Sequence, residues 1–349
     1  MHGFRQEPAE GNGFDVTPAF ARSLVKALVA GDVLNALGYR IRPYELRPGQ
    51  TDHALGESRK IVYEAFRTRR SILRALLRCR PLFRAVEVDR FRVKPKVMVI
   101  GEFWAMTTEG DGNHQLQRFL EAEGAEIQVQ SLTTWMLYML WQVRYDTRRR
   151  LFLPGADLQG CGLANKNGRA ILRRTWLADK ALRLIFYAFA GAVGLARFRL
   201  TDMEELASLS RDFYHPELRG GEGHMEVGKL IHVVTRNAAH MVVSVKPFGC
   251  LPSSGVSDGV QPAVLSVYPE AVFCPVETTG DNAVSFQSRI LMSLFKAHRK
   301  AREEFEIILN GKGFSLEEAQ ARLTSRHRVS TFCPQRLVAG TAANMLLEL

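Results

Sequence analysis

Apolar residues recur at helical spacing from Thr17 to Gly38, and the order Thr17–Pro18 supplies an N-cap followed by a first-turn proline. Gly38 is expected to stop this helix. Thr51 and Asp52 can cap a second helix reaching about Arg70, and Ser71 a third reaching about Arg84. The pattern changes at Val97. Short apolar runs, VMVI and later MVVSVK and AVFCPVE, alternate with helical stretches such as QLQRFLEAEG and the long run from about Asn282 to Leu309. Strands alternating with helices are the signature of a parallel, doubly wound sheet. The expected architecture is therefore α/β, with a Rossmann-like, mostly parallel sheet carrying helices on both faces and a helical segment in front of it. In residue numbers this gives a flexible start at 1–14, a basic helical segment at 15–94, and α/β structure over 95–349 with a helical insertion at about 135–219.

Composition narrows this further. The 349 residues are 46% hydrophobic and 24% charged, which excludes wholesale disorder and collagen-like structure. The run Leu184–Ala196 is free of charge but spans 13 residues, whereas a membrane-crossing helix needs about 20. It reads as a buried helix, and no membrane association is expected. The start of the chain lacks the apolar core of a secretory signal. Five cysteines at irregular spacing form no disulfide framework, so a reducing cytoplasm is expected.

The net charge of +11 is unevenly distributed. Residues Arg59–Lys96 hold 13 Lys and Arg against three acids, and Arg144–Arg183 hold 10 against three. Such stretches suit a phosphate-bearing ligand or an acidic partner, and equally a solvated helix face. Nucleic acid is not expected, because the first stretch has few aromatics and no recognition motif.

Three loops carry candidate chemistry, since ligands of open α/β sheets bind at the carboxyl ends of strands. GEFWAMTTEGDGN offers Glu102, either as a ligand group or in a loop whose polar residues only cap the next helix. RGGEGHMEVGKL contains the GxxxxGK spacing at Gly223–Lys229, but Leu230 stands where a phosphate-binding loop needs Ser or Thr. What remains is a Gly-rich turn feeding a helix, with His224 and Glu226 in that helix as candidate site residues and capping and packing as the alternative. VKPFGCLPSSGVSDG places Cys250 directly after a strand, either as an activated thiolate or as an uninvolved thiol. All three loops are expected to converge on one cleft.

KPKVMVIGEFWAMTTEGDGN, YHPELRGGEGHMEVGKL, MVVSVKPFGCLPSSGVSDGVQ and FCPVETTGDNAVSFQSRI together resemble proteins related to the 2-hydroxyacyl-CoA dehydratases and their activases. The resemblance covers about residues 25–310. It implies Rossmann-like domains holding an iron–sulfur cluster, of the 4Fe–4S kind, on cysteine thiolates. It also implies an ATP-dependent activase that donates the electron for dehydration or reduction of an acyl-CoA substrate. Cys250 occupies the place of one cluster ligand of that family. Glu102, His224, Glu226 and Asp258 then become candidates for orienting the substrate. The family's other ligand cysteines lie in an earlier domain that this chain does not show. Either a second dehydratase-like subunit supplies them, or the chain is truncated at its start. No phosphate motif of the activase ATPase is present. The alternative is a non-catalytic scaffold or ligand-binding subunit of such a system.

Overall fold

In a computed structural model, residues 17–151, 167–218, 223–313 and 315–349 are described. The helical segment begins as expected. Helix α1 spans Pro18–Ile41, and the Thr17 hydroxyl accepts the Phe20 amide at 3.2 Å. It does not stop at Gly38. A Cβ there would lie 2.7 Å from Leu55 Cδ1, so this glycine allows α2 (Gln50–Arg67) to pack closely on α1. The start of α2 is capped from outside the expected residues: the Glu45 carboxylate accepts the amides of Gly49 (2.7 Å) and Thr51 (2.8 Å). Asp52 instead pairs with Arg42 and Arg118. Ser71 opens α3 (Ile72–Arg84).

These helices share a core with α7 (Gly168–Val193), which brings Phe186, Phe189 and Val193 against Val33, Leu37, Leu76 and Phe83. The uncharged run buries one face of the end of α7 through Phe186, Phe189, Ala190 and Val193, while Leu184 and Tyr187 are exposed. Among the described residues no helix is long and apolar enough to cross a membrane.

Four parallel strands form the sheet: β1 (Lys96–Gly101), β2 (Glu126–Val129), β3 (Met241–Pro247) and β4 (Phe273–Thr278), in the order β2-β1-β3-β4. Strand alternation divides their side chains between two faces. Val97, Val99, Val243, Val245 and Val276 pack beneath α5 (Leu116–Ala122) and α12 (Ala283–Lys312). Met98, Ile100 and Val242 face α9 (Gly223–Thr235), a π-turn at Gly255–Val260 and α11 (Gln261–Val267). The architecture is therefore the expected α/β one, a parallel sheet with helices on both faces preceded by helices.

The short α4 (Phe103–Thr107) follows β1, and α6 (Leu132–Leu151) with α8 (Met203–Ser210) joins α7 and α9 between β2 and β3. The four-residue α10 (Leu251–Ser254) follows β3. Beyond α12 lie α13 (Leu316–Ala321), α14 (Ser325–Arg328) and α15 (Thr341–Glu348), and Met345 and Leu346 of α15 cluster with Phe91 and Phe305.

Candidate functional site at the carboxyl ends of the sheet

β1 connects to β2 on one side and β3 to β4 on the other, so the crevice between β1 and β3 is a topological switch point. The two strands approach unusually closely there. Gly101 has φ +124°, and a Cβ would sit 2.1 Å from the Val245 carbonyl oxygen. The next amide, of Glu102, donates to that same carbonyl at 2.9 Å. The β1 and β3 loops therefore leave the sheet side by side.

The β3 loop is organised by Lys246. Its side chain is on the α9 face, buried, and its ammonium donates to Ser254 Oγ (3.1 Å) and to Asp258 Oδ2, with Glu277 Oε1 at 4.0 Å. Glu277 is the register partner of Lys246 on β4, which explains how two residues far apart in sequence meet. Ser254 and Asp258 come from α10 and the π-turn that follows, a geometry often found at functional sites. Partial burial opposes ionisation of Asp258, but the Lys246 ammonium and the Ser257 hydroxyl hold its carboxyl below the ordinary range. Cys250 is half-buried at the N-cap of α10, with Sγ 3.3 Å from Ser253 Oγ.

In the β1 loop, Glu102 caps a helix that the sequence pattern did not reveal: its carboxylate accepts the Ala105 amide of α4 at 2.8 Å. Buried Asn113 ties the loop down by donating to the carbonyls of Ala105 (3.0 Å) and Thr108 (2.6 Å). His114, with φ +53°, then bridges to the β4 loop through Asn282 Oδ1 at 2.8 Å. Between these loops lies an open groove of about 840 Å³ lined by Asp111, His114, Arg118, Thr279 and Gly280. Sequence reasoning missed His114 and Asn282. The only signal was that both lie in loops following strands.

The remaining candidates sit elsewhere. Gly223–Lys229 forms the first half of α9, not a loop, so its GxxxxGK spacing offers no cradle for a phosphate. Gly228 serves packing, because a Cβ would lie 2.5 Å from the Leu206 carbonyl oxygen of α8. His224 is buried against Tyr138 and Trp141, with ring centroids 5.3 and 4.6 Å away. The buried Glu226 carboxylate accepts the Ser244 hydroxyl of β3. Glu226 thus meets β3 at Ser244, on the face that carries Lys246 two residues further on, and His224 packs on α6 in the first turn of α9. Two of the three expected loops share the carboxyl edge, and the described part of the third is the beginning of α9. Arg219–Glu222 of that third motif lie outside the described residues.

The donor set is short for a metal cluster. Iron–sulfur clusters are generally held by four thiolates. Cys250 is the single described cysteine in the crevice. Cys274 is buried in β4 and Cys79 in α3, where burial raises both thiols above their ordinary range. Cys333 lies in a distant loop, and Cys161 lies outside the described residues. Among the described residues no group of three or more His, Cys, Asp and Glu side chains is arranged to hold a metal ion. These residues do not fit a cluster on their own.

At the carboxyl edge the α9 side carries the buried Lys246 ammonium, the Cys250 thiol and the Asp258 carboxylate, while the groove with His114 lies on the α5 and α12 side and is lined by none of these three. The rim of this edge is apolar: Trp104, Phe248 and Leu251 are 72, 74 and 84% exposed immediately after β1 and β3. Compared with family models, with curated proteins and with solved structures, the chain matches none.

Proposed function

We propose that the crevice at the carboxyl ends of β1, β3 and β4 is the ligand site of a component similar to the 2-hydroxyacyl-CoA dehydratases. In this reading the ligand is an acyl-CoA-type molecule, and Cys250 contributes one thiolate to an iron–sulfur centre shared with another chain or segment. The observation that carries the reading is the placement of Cys250: half-buried at a switch point, one turn from the Lys246–Asp258 pair, and not packed in the core. The exposed Trp104, Phe248 and Leu251 support a partner that covers the site, because large apolar side chains grouped at one edge favour contact with another surface. A bound cluster would supply one-electron chemistry, with the electron delivered by an ATP-dependent activase. The protein's own part is to bind and orient: Lys246 faces a carbonyl or carboxylate of the ligand, and His114 holds the β1 and β4 loops together around the groove.

The short donor set favours a second reading, a ligand-binding subunit without chemistry of its own. One experiment separates the two. The full chain and its Cys250→Ser variant are incubated anaerobically with iron and sulfide, and the iron retained and the visible charge-transfer absorption are measured. The shared-cluster reading expects iron held by the wild type, in a two-chain assembly, and lost in the variant. Equal iron content in both proteins would remove Cys250 as a ligand and leave the ligand-binding reading.

A further inference from the structure

A second cavity, sharing no residue with the crevice, runs along the outer edge of β2. It has a volume of about 400 Å³, within the 300–1,000 Å³ typical of small-molecule pockets. Six cations line it, Arg40, Arg90, Lys96, Arg197, Arg199 and Arg336, against one carboxylate, Glu126. That carboxylate is already engaged. It accepts the Tyr44 hydroxyl at 2.8 Å and the Thr341 hydroxyl at 2.5 Å, and it pairs with Lys96 at 3.1 Å.

Cations that only build a fold find acceptors, and some of these do. Arg40 donates to the Ala196 carbonyl at 2.7 Å, and Arg197 to the Cys333 carbonyl at 3.0 Å with Glu348 at 3.4 Å. The others do not. Arg90 is 97% buried, one nitrogen donates to the Ser330 carbonyl, and its Nε and Nη1 have no hydrogen-bond partner. Leaving buried guanidinium donors unmet is costly. Arg199 and Arg336, on the exposed rim, have no ion-pair partner among the described residues. Burial and then the neighbouring Arg199 charge pull Arg336 below its ordinary range, and burial and Arg336 bring Lys229 down to about 8. The cluster is short of negative charge.

We propose that this cavity binds a small molecule carrying a diphosphate or longer phosphate chain. Planar guanidinium forks match phosphate and carboxylate oxygens bidentately, and a phosphate chain brings the larger charge in a compact group. A single phosphate brings about two negative charges, which leaves most of the surplus uncompensated. The inference is independent of the reading of the crevice, since it rests on other residues.

The test is calorimetric titration of the full chain with pyrophosphate and with ADP, beside the Arg199→Ala/Arg336→Ala double variant. Both arginines are exposed, so the variant keeps the fold, which circular dichroism verifies. Saturable binding is expected, weakened at least about tenfold in the double variant, because a hydrogen bond to a charged group contributes roughly that factor or more. Tighter binding of ADP assigns a nucleotide, and tighter binding of pyrophosphate assigns the free anion. The half-buried Cys333 lines the same cavity, so pyrophosphate should also slow its labelling by a maleimide. Absence of saturable binding, unchanged affinity in the double variant, or equal affinity for citrate would each overturn the proposal.

Discussion

Replacing Gly101 by alanine tests whether the switch point depends on the close approach of β1 and β3. The new Cβ would lie 2.1 Å from the Val245 oxygen, 2.6 Å from its nitrogen and 2.9 Å from its carbonyl carbon. All three are backbone atoms in a paired strand, so no side chain can swing away. Relief requires the strands to part at their carboxyl ends and gives up the bond from the Glu102 amide to Val245. Overpacking of this kind costs about 1–3 kcal/mol. The positive φ of +124° adds about 1–3 kcal/mol for a residue with a side chain. The lost hydrogen bond adds about 1 kcal/mol. Together these predict a loss of about 3–7 kcal/mol. Gly249→Ala is the matched control. It also has positive φ, +76°, but nothing lies within 4 Å of its Cβ position, so only strain of about 1–2 kcal/mol remains. Urea unfolding followed by far-ultraviolet dichroism compares the two midpoints at constant slope. If Gly101→Ala loses no more stability than Gly249→Ala, the close-approach argument is wrong.

Two further outcomes follow from charges inside the fold. Asp32 on α1 accepts the amides of Leu132 (3.0 Å) and Thr133 (2.7 Å) at the start of α6, yet burial outweighs these bonds and raises its carboxyl to about 6. A raised carboxyl pKa means the folded state holds the proton more tightly. The stability contributed by this group is then full below about pH 4 and falls by about 3 kcal/mol as pH rises through about 6. Asp32→Asn should remove that slope, so the wild-type-minus-variant difference in urea midpoints should change between pH 4 and 7, and a constant difference refutes the assignment. Lys246→Met should let the Asp258 carboxyl return toward its ordinary range, read by carbon-detected NMR titration. An unmoved titration would mean that Lys246 does not hold Asp258.

The helical segment was legible where the signal is local. Thr17–Pro18 and Ser71 open α1 and α3 because a cap needs only the residues that follow it. Gly38 misled for the same reason. A glycine at a helix end and a glycine under a neighbouring helix look identical until Leu55 arrives from α2. The cap of α2 comes from Glu45, outside the window in which a cap is normally sought. In the β3 loop, Gly, Pro and Ser after an apolar strand were enough to single out Cys250, while Asp258 entered only through the resemblance. Lys246 meets Ser254 and Asp258 from the loop that follows it, and Glu277 only through register, which is a property of the sheet and not of either strand. That His224 and Glu226 begin a helix was legible from the Gly-rich start, but not that Gly223 and Gly228 let Tyr214 and α8 come close.

Charge follows the same division between local and assembled signals. Counting along the chain marks Arg59–Lys96 and Arg144–Arg183 as basic, and much of that charge spends itself on helix surfaces, as in the Lys60–Glu57 and Arg67–Glu64 pairs. Of the six cations around the β2-edge cavity only Arg90 and Lys96 fall within those stretches. Arg40 ends α1, Arg197 and Arg199 follow α7, and Arg336 precedes α15. Three segments, each unremarkable in a linear count, join Arg90 and Lys96 because α7 packs on α1 and α15 closes against the start of β2 through Thr341 and Glu126. Solvated surface charges are free to separate, and they contribute little to stability. Charges that the fold forces together around a cavity, with Arg90 buried beneath them, raise the free energy of the folded chain unless something negative enters. Local surplus is therefore a poor guide to where an anion binds, and the unmet donors of Arg90 are the better one.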